Sequence, residues 1–302
     1  MTLNNNKILI SCANGKKINQ LEKILKRHSN LKVYFTDINY SKRNNKFFFL
    51  NLGVNNKNYF KQLIYNLNKH NIKKYLPLAD EEVLVASKYK RIFSKYKIKV
   101  YCNKYNLVKI LNDKIKTLKL LQKYNIPVPI WKKYNSSKTF IQSVEYFFDL
   151  NLDLVLKPIV SRGNRNINFF KKKNYKILKY SYNKFKRNFF FNEMLYPEYY
   201  DVDIFSKNIT NKNNVIIRKN LNPLKPTIYK GFKIVRKMNF AKSCKYINNK
   251  IGNEFLIDVD AMTDGEGKVK IIEVNSRPSG AFTYSLQKNS NLKNDFIKYL
   301  SK

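Results

Sequence analysis

The sequence predicts an α/β protein in two parts, an N-terminal doubly wound parallel-sheet domain followed by an α+β domain. Three observations carry that reading. Short apolar runs of strand length alternate with segments of helical period as far as about residue 105. The pattern then changes to a capped helix and a series of strands. The last two strands form a hairpin around TDGEG, residues 263–267. The chain has 302 residues, which at roughly 150 residues per domain suggests two domains; 43% are hydrophobic, enough to build cores and to exclude disorder throughout.

Residues 7–12, KILISC, form a strand that ends at the turn residues Asn14 and Gly15. In INQLEKILKR the apolar residues Ile18, Leu21, Ile24 and Leu25 share one helical face, and LKVYFTD (31–37) is a second strand. A helix around 58–70, a strand KKYLPLAD (73–80), a helix opening at Asp80-Glu81-Glu82 and a strand at 97–102 continue the alternation. Such an order builds a parallel sheet, here over residues 1–105. The lone glycine of CANGKK falls far short of the G-x-G-x-x-G that cradles a dinucleotide. This part reads instead as a scaffold with a substrate-facing edge at its strand C-termini.

A new domain opens near residue 106. The segment NDKIKTLKLLQKYNIPVP is a helix capped by Asn112 or Asp113 and stopped before Pro127. Strands follow at 152–158, 188–195, near 201–207 and at 215–219, with a polar loop SRGNRN at 161–166, a basic and aromatic stretch to about 190, and a helix around 235–250. The closing hairpin pairs FLIDVDAM (255–262) with KVKIIEVN (268–275).

Composition removes several function classes. No apolar run approaches the ~20 residues of a membrane helix, and MTLNNNKILIS lacks the layout of a secretory signal, so a cytoplasmic protein without a membrane partner is expected. Cys12, Cys102 and Cys244 are odd in number and far apart, and His28 and His70 are the only histidines, which argues against disulfide frameworks and zinc or histidine metal clusters. The formal charge is +40, but the excess is lysine rather than arginine and comes with 43 asparagines spread along the chain. That joint enrichment reads as compositional drift and not as selected phosphate recognition, which favours the two-pronged guanidinium. No specific nucleic-acid partner is expected. A basic nucleic-acid-binding protein is the weaker alternative, since it leaves the acidic hairpin unexplained.

That hairpin holds the most informative chemistry. Alternation puts Asp258 and Asp260 on one face of their strand and Glu273 and Asn275 on one face of the next. Paired across the turn, they gather carboxylates and an amide oxygen within a few ångströms. A hard divalent cation among them relieves the repulsion, and oxygen-only donors suit Mg²⁺ held with nucleotide phosphates. A solvated acidic face is the bland alternative, weakened by Ser276-Arg277-Pro278-Ser279-Gly280, which sets a cation and a tight turn directly beside the acids.

The run DVDAMTDGEGKVKIIEVNSRPSG closely resembles the C-terminal signature of ATP-grasp carboxylate–amine ligases, most like the carbamoyl-phosphate synthase large-chain branch. Other pieces resemble that family in its order: PLADEEV, NDKIKTLKLLQKYNIPVP, LVLKPIVSRGNRNI and NEMLYPEYYDVDIF. The resemblance implies a pre-ATP-grasp domain at 1–105 and an ATP-grasp domain at 106–302, with a small lobe and lid at 106–190 and a large lobe carrying the metal site at 191–302. A single copy of the module argues against a full carbamoyl-phosphate synthase large chain, so a shorter relative is expected.

The resemblance also implies roles, residue by residue. Asp260, Glu273 and Asn275 fall on the metal-ligand positions, with Asp260 where many relatives have Gln. Lys114 and Lys157 fall on the lysines that reach ATP phosphates. Glu193, Met194 and Leu195 fall on the hinge that hydrogen-bonds adenine, and Glu198 on the ribose acceptor, although Pro197 replaces the family's Gly. Arg277 would hold the transferred phosphoryl group or the acyl phosphate, and Arg218 is a candidate contact for the acidic substrate. In the phosphate loop Ser161, Gly163, Asn164 and Asn166 stand where the family has several glycines. Asn is the best non-Gly occupant of the left-handed region, so the loop can keep its shape. Ser276 replaces the usual Pro.

The implied activity is ATP-dependent ligation. With two Mg²⁺ ions, or Mn²⁺, a small-molecule carboxylate is phosphorylated to an acyl phosphate and then attacked by an amine or similar nucleophile, releasing ADP and phosphate. Such chemistry needs positioning and charge neutralisation more than covalent help. Peptide-like, amino-acid and carbamoyl products all fit these motifs, and dimers are common in the family. A MgATP-binding module without turnover is the alternative that the thin glycine loop suggests.

Overall fold

The computed structural model describes residues 6–15, 18–39, 48–161, 165–185, 188–210, 214–221 and 231–302. Its first sheet holds β1 (Lys7–Ile10), β2 (Lys32–Asp37), β3 (Phe48–Leu50), β4 (Lys74–Leu76) and β5 (Lys99–Val100). All pairs are parallel, in the order β3-β2-β1-β4-β5. The KILI run is apolar at every position but the first because both faces are covered. Ile8 and Ile10 join the core under α1 (Ile18–His28), while Leu9 joins a second core under α2 (Tyr59–Lys69), α3 (Asp80–Lys88) and α4 (Lys90–Lys95). The predicted stripe of α1 is buried as expected, and Lys26, Arg27 and His28 sit in its last turn, where cations suit the helix dipole. Strand β3 and helix α4, three and six residues long, are additions to the sequence reading.

After α5 (Tyr105–Leu111), Asp113 accepts from the Lys116 N–H and starts α6 (Lys114–Lys123), which settles the choice of cap. A four-stranded antiparallel sheet follows, ordered β6-β9-β7-β8, from β6 (Trp131–Lys133), β7 (Leu154–Pro158), β8 (Asn168–Phe170) and β9 (Phe189–Glu193). Helix α7 (Ser137–Asp149) covers it, opened by a capping box between Ser136 and Thr139. Phe140, Val144 and Phe147 of α7 pack on Leu154, Leu156 and Phe191, and α8 (Tyr175–Lys179) adds Tyr175 and Leu178.

The third sheet is antiparallel, ordered β12-β11-β10-β13-β14, from β10 (Tyr196–Phe205), β11 (Asn214–Asn220), β12 (Phe232–Ile234), β13 (Leu256–Thr263) and β14 (Val269–Asn275). Helix α9 (Met238–Ile251) packs Phe240, Cys244 and Ile247 on it and ends at Gly252, whose φ of 67° is the left-handed cap that glycine adopts without strain.

The hairpin does not close the fold. Helices α10 (Phe282–Lys288) and α11 (Ser290–Ser301) return to the first sheet, where Phe282, Leu286, Leu292, Phe296 and Leu300 share a core with Ile8, Ile10, Leu21 and Leu25. Tyr101 Oη donates to Leu300 O at 2.9 Å across that junction. By packing, the last two helices side with the first sheet. The i, i+4 spacing of Phe282/Leu286 and of Leu292/Phe296/Leu300 was the legible sign of them. No helix among the described residues is long and apolar enough to cross a membrane.

Candidate active site

The hairpin register sets the centre of the site. Asp260 stands directly opposite Glu273, and Asp258 opposite Asn275, as the alternation predicted. A bulge follows at once, since Ala261 is paired with Ile271. Asn275 Nδ2 donates to Asp258 Oδ2 at 3.3 Å and to Asp260 Oδ2 at 3.5 Å, and Tyr199 Oη donates to Asp260. Burial, reinforced by the negative charges of Asp201 and Glu273, pushes the Asp260 carboxyl up to about 7. Burial with Asp260 and Asp201 nearby also raises Asp258 well above the carboxylate range. The raised carboxyls are thus first a consequence of burial and second of the neighbouring acids.

Two buried lysines meet them from the other side. Lys114 is the first residue of α6, so the Asp113 cap fixes its backbone; its Nζ lies 3.1 Å from Glu273 Oε1 and donates to Ser161 O at 2.9 Å. Lys157 is inside β7, over the Phe190 ring, and the Asn192 carboxamide, oriented so that its hydrogen bonds are satisfied, accepts from its Nζ at 2.9 Å. Burial lowers the Lys157 ammonium to about 8, opposed by the attraction of Glu273 and Asp260. Arg277 completes the group: Nε donates to Asp80 Oδ1 at 2.6 Å, Nη1 donates to Pro278 O at 3.1 Å and lies 3.6 Å from Asp258. Asp80, Lys114, Ser161, Glu273 and Asn275 line one chamber, where the first sheet's α3 meets the hairpin.

Arg218 corrects an expectation. It is fully enclosed, with Nη1 donating to Asp203 and Ser285 and Nη2 donating to Asp201 and to Ser279 at 2.9 Å, so it has no surface left for a substrate. Oxygens of Asp201, Asp203 and Asp258 lie within 4.8 Å of one another; the guanidinium of Arg218 pairs with the first two and Arg277 stands beside the third. The sequence reading passed over this cluster. Its signal is the D-x-D of YDVDIF, which repeats that of IDVDAM and pairs with it as Asp201↔Asp260 and Asp203↔Asp258.

At the hinge, β9 ends in Glu193, whose N–H donates to Ile130 O, while its carboxylate accepts from the Ile130 N–H at 2.7 Å and from Lys270 Nζ at 2.6 Å. The Met194 N–H donates to Asp153 O, which leaves the Leu195 N–H without a backbone partner among the described residues. Glu198 borders an open cleft with Lys237, Thr263 and Asp264. Hydrogen bonds from Lys219 and Tyr200 depress its carboxyl to about 2. Gly163 and Asn164 lie outside the described residues. Asn166 adopts φ 59°, the left-handed conformation expected of a glycine stand-in.

The family description "ATP-grasp domain" matches residues 111–281, more than half of the chain. The chain belongs to the ATP-grasp family. The matched span leaves out the first sheet and the helices α10 and α11, the parts that pack on each other. No curated protein sequence matches the chain. Among solved structures it is similar to a biotin carboxylase from Campylobacter jejuni, at 14% identity and TM-score 0.70, over 98% of this chain and 71% of that one. It is also similar to an L-amino acid ligase from Bacillus licheniformis, at 13% and 0.70 over 99% and 75%. A D-alanyl-alanine synthetase A from Vibrio cholerae aligns at 12% and 0.71 over 99% and 98%. At these identities the likeness is one of fold.

Proposed function

We propose that this ATP-grasp chain is an ATP-dependent carboxylate–amine ligase. One observation carries the reading: Asp260 and Glu273 face each other across the hairpin while Lys114, from a separate helix, reaches Glu273 at 3.1 Å. Carboxylates and lysines so arranged suit a triphosphate bound with a hard cation. The donor set fits Mg²⁺, being all oxygen with two carboxylates directly opposite each other. Asp260, Glu273 and Asn275 would hold the metal, one ion or two, and Mn²⁺ would suit the same donors. Bound there, it supplies Lewis-acid neutralisation of phosphate charge.

The chain's own residues do the rest. Lys114 and Lys157 neutralise the phosphate tail, the backbone at Glu193–Leu195 takes the adenine, and Glu198 receives a ribose hydroxyl. Ser161 and the described residues 165–185 and 188–190 close over the nucleotide and exclude water. The γ-phosphoryl group passes to a carboxylate oxygen, giving ADP and an acyl phosphate beside Arg277. An amine nitrogen then attacks the carbonyl carbon, loses its proton, and phosphate leaves. The motif order resembles the carbamoyl-phosphate synthase large chain, and the division at about residue 106 into a substrate-bearing domain and a two-lobed ATP-grasp domain belongs to the same proposal.

Glu273→Gln tests it. The variant is expected to keep its circular dichroism spectrum while ADP release, screened over carboxylates and amines, falls by about a hundredfold or more. Saturating MgATP at ~100 times its dissociation constant stabilises the parent by ~2.7 kcal/mol. Undiminished ADP release from Glu273→Gln refutes the site. Stabilisation by MgATP without ADP from any pair would identify a binding module instead.

A further inference from the structure

The first domain does more than frame the site. Arg277 lies in a turn that two of its residues hold from different sides. Asp80, at the start of α3, accepts from Arg277 Nε at 2.6 Å. Asn103, just past β5 and fully buried, donates through Nδ2 to Ser276 Oγ at 3.0 Å and to Leu256 O at 3.3 Å. Its Oδ1 accepts from the Glu254 and Phe255 N–H groups at 2.8 and 3.0 Å, so one carboxamide ties the entry of β13 to the exit of β14. Ser276, the departure from the family's Pro, thus has a partner that Pro could not provide.

We propose that Asp80 is a positioning residue for Arg277: by engaging Nε it fixes the plane of the guanidinium, and with Asn103 it makes the first domain set the anion-binding geometry of the ATP-grasp site. A guanidinium binds a tetrahedral anion through a fork of coplanar N–H groups, so its orientation decides which atoms it can reach. With Nε on Asp80 and Nη1 on Pro278 O, only Nη2 makes no hydrogen bond to a described residue. A fixed Nε edge leaves that nitrogen for the incoming anion. Asp80 also lines the chamber that Glu273 and Asn275 line, so the pair stands at the reacting end of the site and away from the hinge. The inference rests on the ligase reading, in which Arg277 receives the transferred phosphoryl group.

Calorimetry on the full chain tests it, with MgADP as one probe and orthovanadate, added at saturating MgADP, as the phosphoryl mimic. Asp80→Asn is expected to bind MgADP within about twofold of the parent but vanadate roughly tenfold or more weakly, the loss of one charge-assisted bond. Arg277→Ala should lose at least as much, the double variant no more than Arg277→Ala alone, and Asp80→Glu should regain part of the loss. Ser276→Ala, which removes one of the two acceptors of Asn103 Nδ2, should weaken vanadate severalfold with MgADP unaffected, and it carries the test if Asp80→Asn fails to fold. Parent-like vanadate binding by Asp80→Asn, additive losses in the double variant, or a parent that takes MgADP but no vanadate overturns the inference alone. A parent that binds no MgADP overturns the ligase reading and this inference with it.

Discussion

Replacing Arg218 with Met separates a structural cation from a substrate-binding one. The guanidinium is fully enclosed and bonds Asp201, Asp203, Ser279 and Ser285, while both aspartates are themselves buried. Met fills most of the volume, so the cost is electrostatic. Two carboxylates stay in the interior without their counter-charge, and breaking a buried pair in this way costs ~3–5 kcal/mol. Against a total stability of ~5–15 kcal/mol that is about a fifth or more. The deficit has a direction in pH. Burial already raises the Asp201 carboxyl, and losing Arg218 raises it further, so the folded variant holds protons that the unfolded chain has released. Stability of Arg218→Met therefore falls as pH rises through the carboxylate range, and the gap from the parent widens from pH 5 to pH 8. Urea titrations followed by circular dichroism at the two pH values measure both effects. A loss below about 1 kcal/mol at both, with only the carboxylate substrate's KM raised, would refute the enclosed-pair reasoning.

Other groups make separate predictions. Glu82 is buried with Oε2 unpartnered, and burial raises its carboxyl from 4.5 to about 7. This destabilises the fold increasingly between those values, so Glu82→Gln should be more stable than the parent by up to ~3 kcal/mol at pH 8 in urea melts and show no such gain at pH 4. The Lys157 ammonium, lowered to about 8, is charged below that pH and loses its proton above it. MgATP affinity of the parent, read by calorimetry, should weaken as pH rises past 8, whereas Lys157→Met should bind weakly with little pH dependence. Ending the chain at residue 281 removes Phe282, Leu286, Leu292, Phe296 and Leu300 from the first core. At ~1.5–3 kcal/mol per buried side chain the loss is ~7–15 kcal/mol, comparable with the whole stability, so the truncated chain should show no cooperative melt.

What could be read ahead of the structure was whatever a local period or a short motif encodes. The KILI strand, the α1 stripe and a cap at Asn112 or Asp113 needed only neighbours in sequence, and the structure chooses Asp113. The D-x-D and E-x-N faces needed one further assumption, that the turn pairs them in register, and the register is as assumed. Short elements such as β3 and α4 carry too few residues for a period to be seen. Helix α7 passed unread although its Phe140, Val144 and Phe147 are at helical spacing, and the capping box ahead of it was the missing cue. The contact between Arg277 and Asp80 joins residues 197 apart, a separation at which no periodicity operates.

The two D-x-D strands show where local reading ends and register begins to decide. Asp201/Asp203 and Asp258/Asp260 are equivalent as sequence, alternating acids on apolar strands. Strand pairing separates their roles, because Arg218 on β11 stands opposite Asp201 on one side of β10 and the hairpin acids stand on the other. The guanidinium takes the β10 pair, and Arg277 is shared between Asp80 and Asp258. Among the described residues Lys114 is the cation within ion-pair distance of Glu273, and Asp260 has hydrogen bonds from Tyr199 and Asn275 but no ion pair. Under the proposed function, a divalent ion would therefore be held at the hairpin and not at the β10 cluster.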